Sequence, residues 1–253
     1  MSGHSKWANI KHRKAAEDAK RGRLFSKLSR AIIIAAREGG GNPETNLALA
    51  HAIEKAKSYS MPKENIERAI KRGTGELSGS SFEKITYEGY AANGVAIMVD
   101  VMTDNRNRAA ADIRHIFSRA GGRLGDTGCV SWMFEKKGII IVNKDSGADE
   151  DVLLEAALEA GAEDMKTEDD HWEIITDASS FKQVLDTLKE QGVEVASAEV
   201  TMLPKDTVKL DKDSARKVLK LVDALEDYDD VQEVYANFDI PDEILQELAE
   251  EGI

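Results

Sequence analysis

Residues 138–202 read GIIIVNKDSGADEDVLLEAALEAGAEDMKTEDDHWEIITDASSFKQVLDTLKEQGVEVASAEVTM. The apolar run at 139–142 predicts a strand. Across 150–160, Val152, Leu153, Ala156 and Ala157 recur at helical spacing. Two short strands, 164–167 and 172–175, flank an acidic turn. A second helix over 180–190 carries Phe181, Val184, Leu185 and Leu188, and a closing strand spans 193–202. The order β-α-β-β-α-β is the split βαβ, or ferredoxin-like, unit.

Upstream of this unit the period is two. Val95, Ile97, Val99 and Val101 alternate along a strand. A helix with Ala109, Ile113, Ile116, Phe117 and Ala120 follows, capped by Asp104 or Asn105 and closed by Gly121-Gly122. A strand is expected around 130–134. Downstream come a helix (Val218, Leu219, Val222, Leu225), a strand at 231–238 and a short helix from Pro241. Each flank is too small for a sheet domain of its own, so the two are expected to join around the inserted unit.

Further upstream the pattern is helical. Leu24, Leu28, Ala31, Ile32 and Ala35 make one stripe that Gly39-Gly40-Gly41 stops. Pro43 and Glu44 are expected to open a second helix (Leu49, Ile53, Ala56). Pro62 suits the first turn of a third (Ile66, Ala69, Ile70), which Gly73 ends. Residues 73–81, rich in Gly and Ser, read as a linker. The expected class is α+β in three domains. Residues 1–78 form a basic three-helix bundle. Residues 79–136 with 203–253 form a discontinuous α/β domain, and 137–202 form the acidic inserted ferredoxin-like domain.

Charge divides the chain sharply. The net −13 resolves into +8 over residues 1–37, zero over 38–80 and −21 over 81–253. Such asymmetry points to a polyanion-binding arm on a self-repelling body. Lys6, Lys11, Arg13, Lys14, Lys20, Arg21, Arg23, Lys27 and Arg30 supply the arm's charge, with His12 among them, and Trp7 offers a face on which a base can stack. The competing reading is a solvated basic helix face with Trp7 tucked into the bundle.

Two further segments invite the same question. Backbone amides of Gly39-Gly40-Gly41-Asn42 can approach a phosphate, or can form an ordinary turn between helices. No Gly-Lys-Ser/Thr follows, so the loop is not a Walker loop. Arg106 and Arg108 stand at a helix start, where the macrodipole disfavours cations. With Arg123 they await either a phosphate or internal carboxylates.

Several classes are excluded or disfavoured. No apolar run approaches the eighteen residues of a membrane span, and the basic N-terminus lacks the apolar core of a secretory signal. A transit-peptide reading of the basic leader gives way to the helical pattern that follows it. Cys129 is the sole cysteine, which rules out an internal disulfide and fits a reducing compartment. His4, His12, His51, His115 and His171 are scattered without metal-ligand spacing. No nucleophile motif or dinucleotide fingerprint is present. The chain therefore reads as a binder, not an enzyme, with no cofactor, no metal, no small-molecule substrate and no membrane partner.

Specific blocks carry a resemblance. Gly3-His4-Ser5-Lys6-Trp7 with Ile10-Lys11-His12-Arg13-Lys14, then Gly39-Gly40-Gly41-Asn42-Pro43, resemble the opening of the YebC family. That family, also called the PmpR type, includes the mitochondrial translational activator of cytochrome c oxidase. Met61-Pro62-Lys63-Glu64-Asn65-Ile66-Glu67-Arg68-Ala69-Ile70, Tyr87-Glu88-Gly89-Tyr90, Thr103-Asp104-Asn105-Arg106-Asn107-Arg108 and Ser131-Trp132-Met133-Phe134 extend the match over nearly the whole chain. The resemblance implies three domains with the third inserted in the second, and a cytoplasmic bacterial protein. Members are described as DNA-binding transcriptional regulators or as ribosome-associated factors that help translation through proline-rich stretches. Either role requires contact with nucleic acid, DNA or ribosomal RNA. This chain departs from the family pattern at Ala48 and Ala50, where arginines are frequent, at Cys129 (often Ser) and at Arg123 (often Asn).

Overall fold

The structure, a computed structural model, describes residues 18–79, 81–168 and 170–251. Its class is α+β, with a helical N-terminal region followed by α/β parts. The chain divides into two compact units, one holding Trp132–Asp206 and the other the described residues before and after it.

Three helices open the larger unit: α1 (Asp18–Gly39), α2 (Leu47–Ser58) and α3 (Lys63–Gly73). Their apolar faces meet in a core of Leu28, Ile32, Ala36, Leu49, Ile53 and Ile66. Ile32 and Leu49 are wholly buried, and each such side chain contributes about 1.5–3 kcal/mol. Helix α1 begins before Leu24 and takes in part of the basic stretch. Helix α2 begins later than Pro43-Glu44 would place it. Residues 43–45 form a turn, and Asn46 is the N-cap, its side-chain oxygen accepting from the Leu49 N–H at 3.1 Å. Pro62 sits at the N-cap of α3, one residue ahead of its first turn.

The sheet of this unit joins the antiparallel strands 83–90 and 96–103 to a short strand at 123–124 on one edge and to a strand at 231–236 on the other. Strand β1 (Glu83–Tyr90) pairs antiparallel with β2 (Ala96–Thr103), from Glu83 opposite Thr103 to Tyr90 opposite Ala96. Helix α4 (Arg106–Arg119) follows, with Asn105 as its cap, and then β3 (Arg123–Leu124). Strand β1 has no strong signature in its sequence because it is mostly polar and half exposed.

The smaller unit contains β4 (Phe134–Asn143), α5 (Glu150–Ala160), β5 (Ala162–Thr167), β6 (His171–Asp177), α6 (Phe181–Glu190) and β7 (Ser197–Pro204). All its strands pair antiparallel in the order β5-β6-β4-β7, which is the ferredoxin-like arrangement. Helices α5 and α6 pack through Leu153, Ala157, Val184 and Leu188 onto Ile140, Val142 and Ile174. The strand expected around 130–134 is absent. Ser131–Met133 form a 3₁₀ turn, and β4 starts at Phe134 and runs unbroken through the apolar 139–142. The closing strand starts at Ser197, because residues 193–195 only pad the core edge before Ala196 N–H reaches the Ile141 carbonyl at 2.8 Å.

Gly138 lies where β4 passes closest to β6 and α6. A Cβ there would sit 2.3 Å from Thr176 Oγ1 and 2.5 Å from Phe181 Cδ2. Gly138→Ala is expected to cost about 1–3 kcal/mol through overpacking. The result should be faster tryptic cleavage within 132–206, read by mass spectrometry.

The chain then returns to the larger unit with β8 (Val208–Lys209), α7 (Lys212–Glu226), β9 (Val231–Ala236), β10 (Phe238–Asp239) and α8 (Asp242–Glu250). Strand β9 pairs with β2, so the C-terminal flank completes the sheet that the middle of the chain began. Val95, Ile97, Val99 and Val101 share one core with Ile113 and Phe117 of α4 and with Val218, Leu219, Val222 and Leu225 of α7.

Candidate nucleic-acid interface

Lys6, Trp7, Lys11, His12, Arg13 and Lys14 lie outside the described residues, as do the side chains of Lys20 and Arg21 on α1. The other three basic residues of the arm are described, and the acidic turn at the end of α7 holds them. Arg23 stands 3.6 Å from Asp227. Lys27 Nζ donates to the Glu226 carbonyl at 2.6 Å. Arg30 donates to the Asp229 carbonyl and pairs with Asp230 Oδ1 at 3.0 Å. The last carbonyls of a helix carry partial negative charge, so cations seat well there. Burial pulls the Lys27 pKa down, and Glu226, Glu233, Asp227 and Asp229 only partly offset it.

The Gly-rich loop is built as a tight helix–helix turn. Gly40 adopts φ +85° and its N–H bonds to the Ala36 carbonyl at 2.9 Å. Asn46 is buried and clamps the loop, its Nδ2 donating to the Ala35 and Gly40 carbonyls at 2.8 Å each. The amides of Thr45 and Asn46 bond to the Asn42 carbonyl and that of Glu44 to Asn42 Oδ1. The amides of Gly41 and Asn42 have no acceptor among the described residues.

The arginines of α4 divide. Arg108 Nη2 donates to Asp104 Oδ1 and Asp230 Oδ2, both at 2.9 Å. Hydrogen bonds to Asp230, Tyr228 and Asp104 push its pKa up. Internal carboxylates therefore offset the unfavourable macrodipole at this helix start. Arg106 is exposed, with no hydrogen bond or ion pair among the described residues. Arg123 is exposed and lies over the Tyr90 ring, 5.6 Å from its centroid.

Two features had no reading in the sequence. Asp230 is buried and joins Arg30 of α1, Arg108 of α4 and the Thr103 hydroxyl at the end of β2. Glu88 of β1 is buried and accepts from the amides of Gly128, Val130 and Ser131 at 2.7–2.8 Å. Burial pushes the Glu88 carboxyl up, but these bonds, with the Ser131 hydroxyl, outweigh it and hold it below the usual range. They also take 128–131 out of strand pairing, which is why no strand forms at 130–133. Both carboxylates sit in acid-bearing stretches, Glu226-Asp227-Tyr228-Asp229-Asp230 and Tyr87-Glu88-Gly89-Tyr90. Their partners are far away in sequence.

Burial and the Glu88 charge push the Cys129 thiol up, away from a reactive thiolate. Among the described residues no group of three His, Cys, Asp or Glu side chains is placed to hold a metal ion. Among them, too, no helix is long and apolar enough to cross a membrane.

Comparison with known proteins completes the picture. Residues 5–76 match the model of the TACO1/YebC protein N-terminal domain, and residues 82–238 that of the TACO1/YebC second and third domain. The chain belongs to the TACO1/YebC family. A relative from Dictyoglomus turgidum is 63% identical over 98% of this chain and 100% of its own length. Others from Halothermothrix orenii and Rubrobacter xylanophilus are 61% and 59% identical, over 99% and 98% of the chain and all of theirs. All three carry the name "Probable transcriptional regulatory protein". A crystal structure of a conserved hypothetical protein from Aquifex aeolicus is similar, with a TM-score of 0.83 and 52% identity over 95% of this chain and 99% of that one. Relatives of this TACO1/YebC protein are thus named for regulation, not for a reaction.

Proposed function

We propose that this TACO1/YebC protein is a cytoplasmic, non-catalytic regulator that binds nucleic acid through its N-terminal helical region, as a DNA-binding regulator of transcription. The observation that carries this reading is the +8 charge concentrated in residues 1–37 of a chain that is otherwise strongly acidic. The names of the relatives agree with it. Within the helical region, exposed Lys57, Arg68, Lys71 and Arg72 extend the positive surface and make no ion pair among the described residues. Lys6, Lys11, Arg13, Lys14, Lys20 and Arg21 provide phosphate contacts in this reading, while Arg23, Lys27 and Arg30 hold the arm's root to the acidic turn.

A second reading, a ribosomal-RNA-binding translation factor, is favoured by a separate observation. Direct base readout needs a helix that offers free side chains to a groove. On α1 and α4, Arg23, Lys27, Arg30 and Arg108 are engaged by carbonyls and carboxylates. These four cations are withdrawn from base edges, which leaves Arg106 and the exposed cations of α2 and α3 for phosphate and shape recognition, the mode that dominates RNA binding.

Ultraviolet crosslinking in cells, followed by sequencing of attached nucleic acid, separates the two. Discrete promoter DNA supports the first reading, and ribosomal RNA at a few fixed positions supports the second. Recovery of neither would sink both. In vitro, replacing Lys11, Arg13 and Lys14 with Ala is expected to flatten the dependence of log K on log salt. The slope should change by about 0.9 for each duplex phosphate that the variant no longer neutralises.

A further inference from the structure

Helices α1 and α3 do not close completely over each other. Between them runs a groove of about 310 Å³, lined on one side by Phe25, Ser26 and Ser29 and on the other by Asn65, Arg68 and Arg72. Ser26, Arg68 and Arg72 are exposed, and Ser29 and Asn65 half-buried. Neither guanidinium makes a hydrogen bond or ion pair among the described residues. The Arg72 guanidinium lies where a side chain on Gly79 would begin, its Nε 2.7 Å from the position a Cβ would take, and Lys63, not an arginine, pairs with Glu67.

Arg68 and Arg72 stand four residues apart on α3, which puts their Cβ atoms about 5–6 Å from each other. Like charges at that spacing destabilise a helix. The macrodipole favours Arg72, in the last turn, but gives Arg68 no such support. Two unpaired guanidinium groups in a row with an amide on the same wall, faced across the groove by two hydroxyls one turn apart, form a set of donors for consecutive anions on one flexible strand. Phe25, half-buried and packed against the bundle core, also lines the groove and supplies its aromatic component. A charged groove that tracks a backbone, combined with an aromatic platform, is the general recipe for binding single-stranded nucleic acid.

We propose that the α1–α3 groove binds the sugar–phosphate backbone of a single strand, with Arg68 and Arg72 taking consecutive phosphates, Ser26, Ser29 and Asn65 donating to their oxygens, and Phe25 meeting a base. This inference rests on the nucleic-acid reading above and adds its location and the strandedness of the ligand. The groove adjoins the first described turns of α1, to which the basic arm leads in sequence.

The test is fluorescence anisotropy of the full chain with labelled oligouridylate, oligothymidylate and a duplex DNA of matched length, over a series of salt concentrations. The Arg68→Ala/Arg72→Ala variant, checked for folding by circular dichroism, is expected to bind the single strands at least about tenfold more weakly. Its salt slope should be shallower by about 1.4, two single-strand phosphates at about 0.7 each. The Arg68→Lys/Arg72→Lys variant should keep the slope. Preference for oligouridylate assigns the groove to RNA and preference for oligothymidylate to DNA, and either supports it. Unchanged affinity and slope in the Ala variant, while the Lys11, Arg13 and Lys14 variant loses both, overturns the groove and leaves the nucleic-acid reading standing. Tighter binding of the duplex than of either strand overturns the single-strand assignment. No binding of any probe by the unaltered protein overturns the nucleic-acid reading as well.

Discussion

Asp230→Ala is expected to destabilise the larger unit by about 3–5 kcal/mol, as a fall in the urea midpoint. The carboxylate is only 6% exposed and answers Arg30 at 3.0 Å, Arg108 at 2.9 Å and the Thr103 hydroxyl at 2.8 Å. Its own carbonyl accepts from Met102 N–H at 2.8 Å, where the β2–β9 ladder shifts register. Removing the side chain leaves Arg30, itself only 16% exposed, with uncompensated charge. A buried pair broken from one side costs more than the pair contributes in the intact protein. Arg30→Met should cost less than Asp230→Ala, because it leaves Arg108 beside Asp230. Equal stability of Asp230→Ala and the parent would show that the hub is dispensable.

The second large effect concerns Glu88. Glu88→Ala strands the amides of Gly128, Val130 and Ser131, and a buried donor without its acceptor costs about 1–3 kcal/mol. The whole is expected near 3 kcal/mol because part of the loop can reach water. Glu88→Gln keeps one acceptor oxygen and loses the charge, so it should fall between the two. The acid dependence has a definite sign. The folded carboxyl is held below its ordinary value, near 4.3 in an unfolded chain. Its contribution is therefore fully present above about pH 4.3. It is lost as pH falls through the lower, folded value. Urea unfolding of parent and Glu88→Gln should differ at pH 7 and converge on acidification. A gap that stays constant into the acid range would show that charge is not what holds the loop.

Much of the architecture was legible from spacing. The runs at 139–142 and 95–101, and the helical stripes of Leu28-Ile32 and Val218-Val222, each carry a period that only one local conformation satisfies. The mixed α+β class follows from their order. Errors gathered where side chains override local pattern. Asn46 rather than Pro43 starts α2 because its amide is used three times, once as a cap and twice on the preceding helix end. No strand forms at 130–133 because Glu88, some forty residues earlier, takes the amides that a ladder would need. The polar β1 becomes a strand through its neighbours β2 and β3, not through a pattern of its own.

Charge segregation, the helical and strand periods and the family motifs are determined by the order of residues along the chain, since each is expressed within a few turns or one strand. Which cations remain free for a ligand was decided only by tertiary structure. Arg23, Lys27 and Arg30 look identical in sequence to the cations that precede them, yet the turn at 226–230, about two hundred residues away, engages all three. Arg68 and Arg72 look like an ordinary solvated face, yet the packing of α3 beside α1 turns them into one wall of a groove. The physical reason is that an ion pair depends on distance in space, and chain separation sets no limit on that distance once the chain has folded.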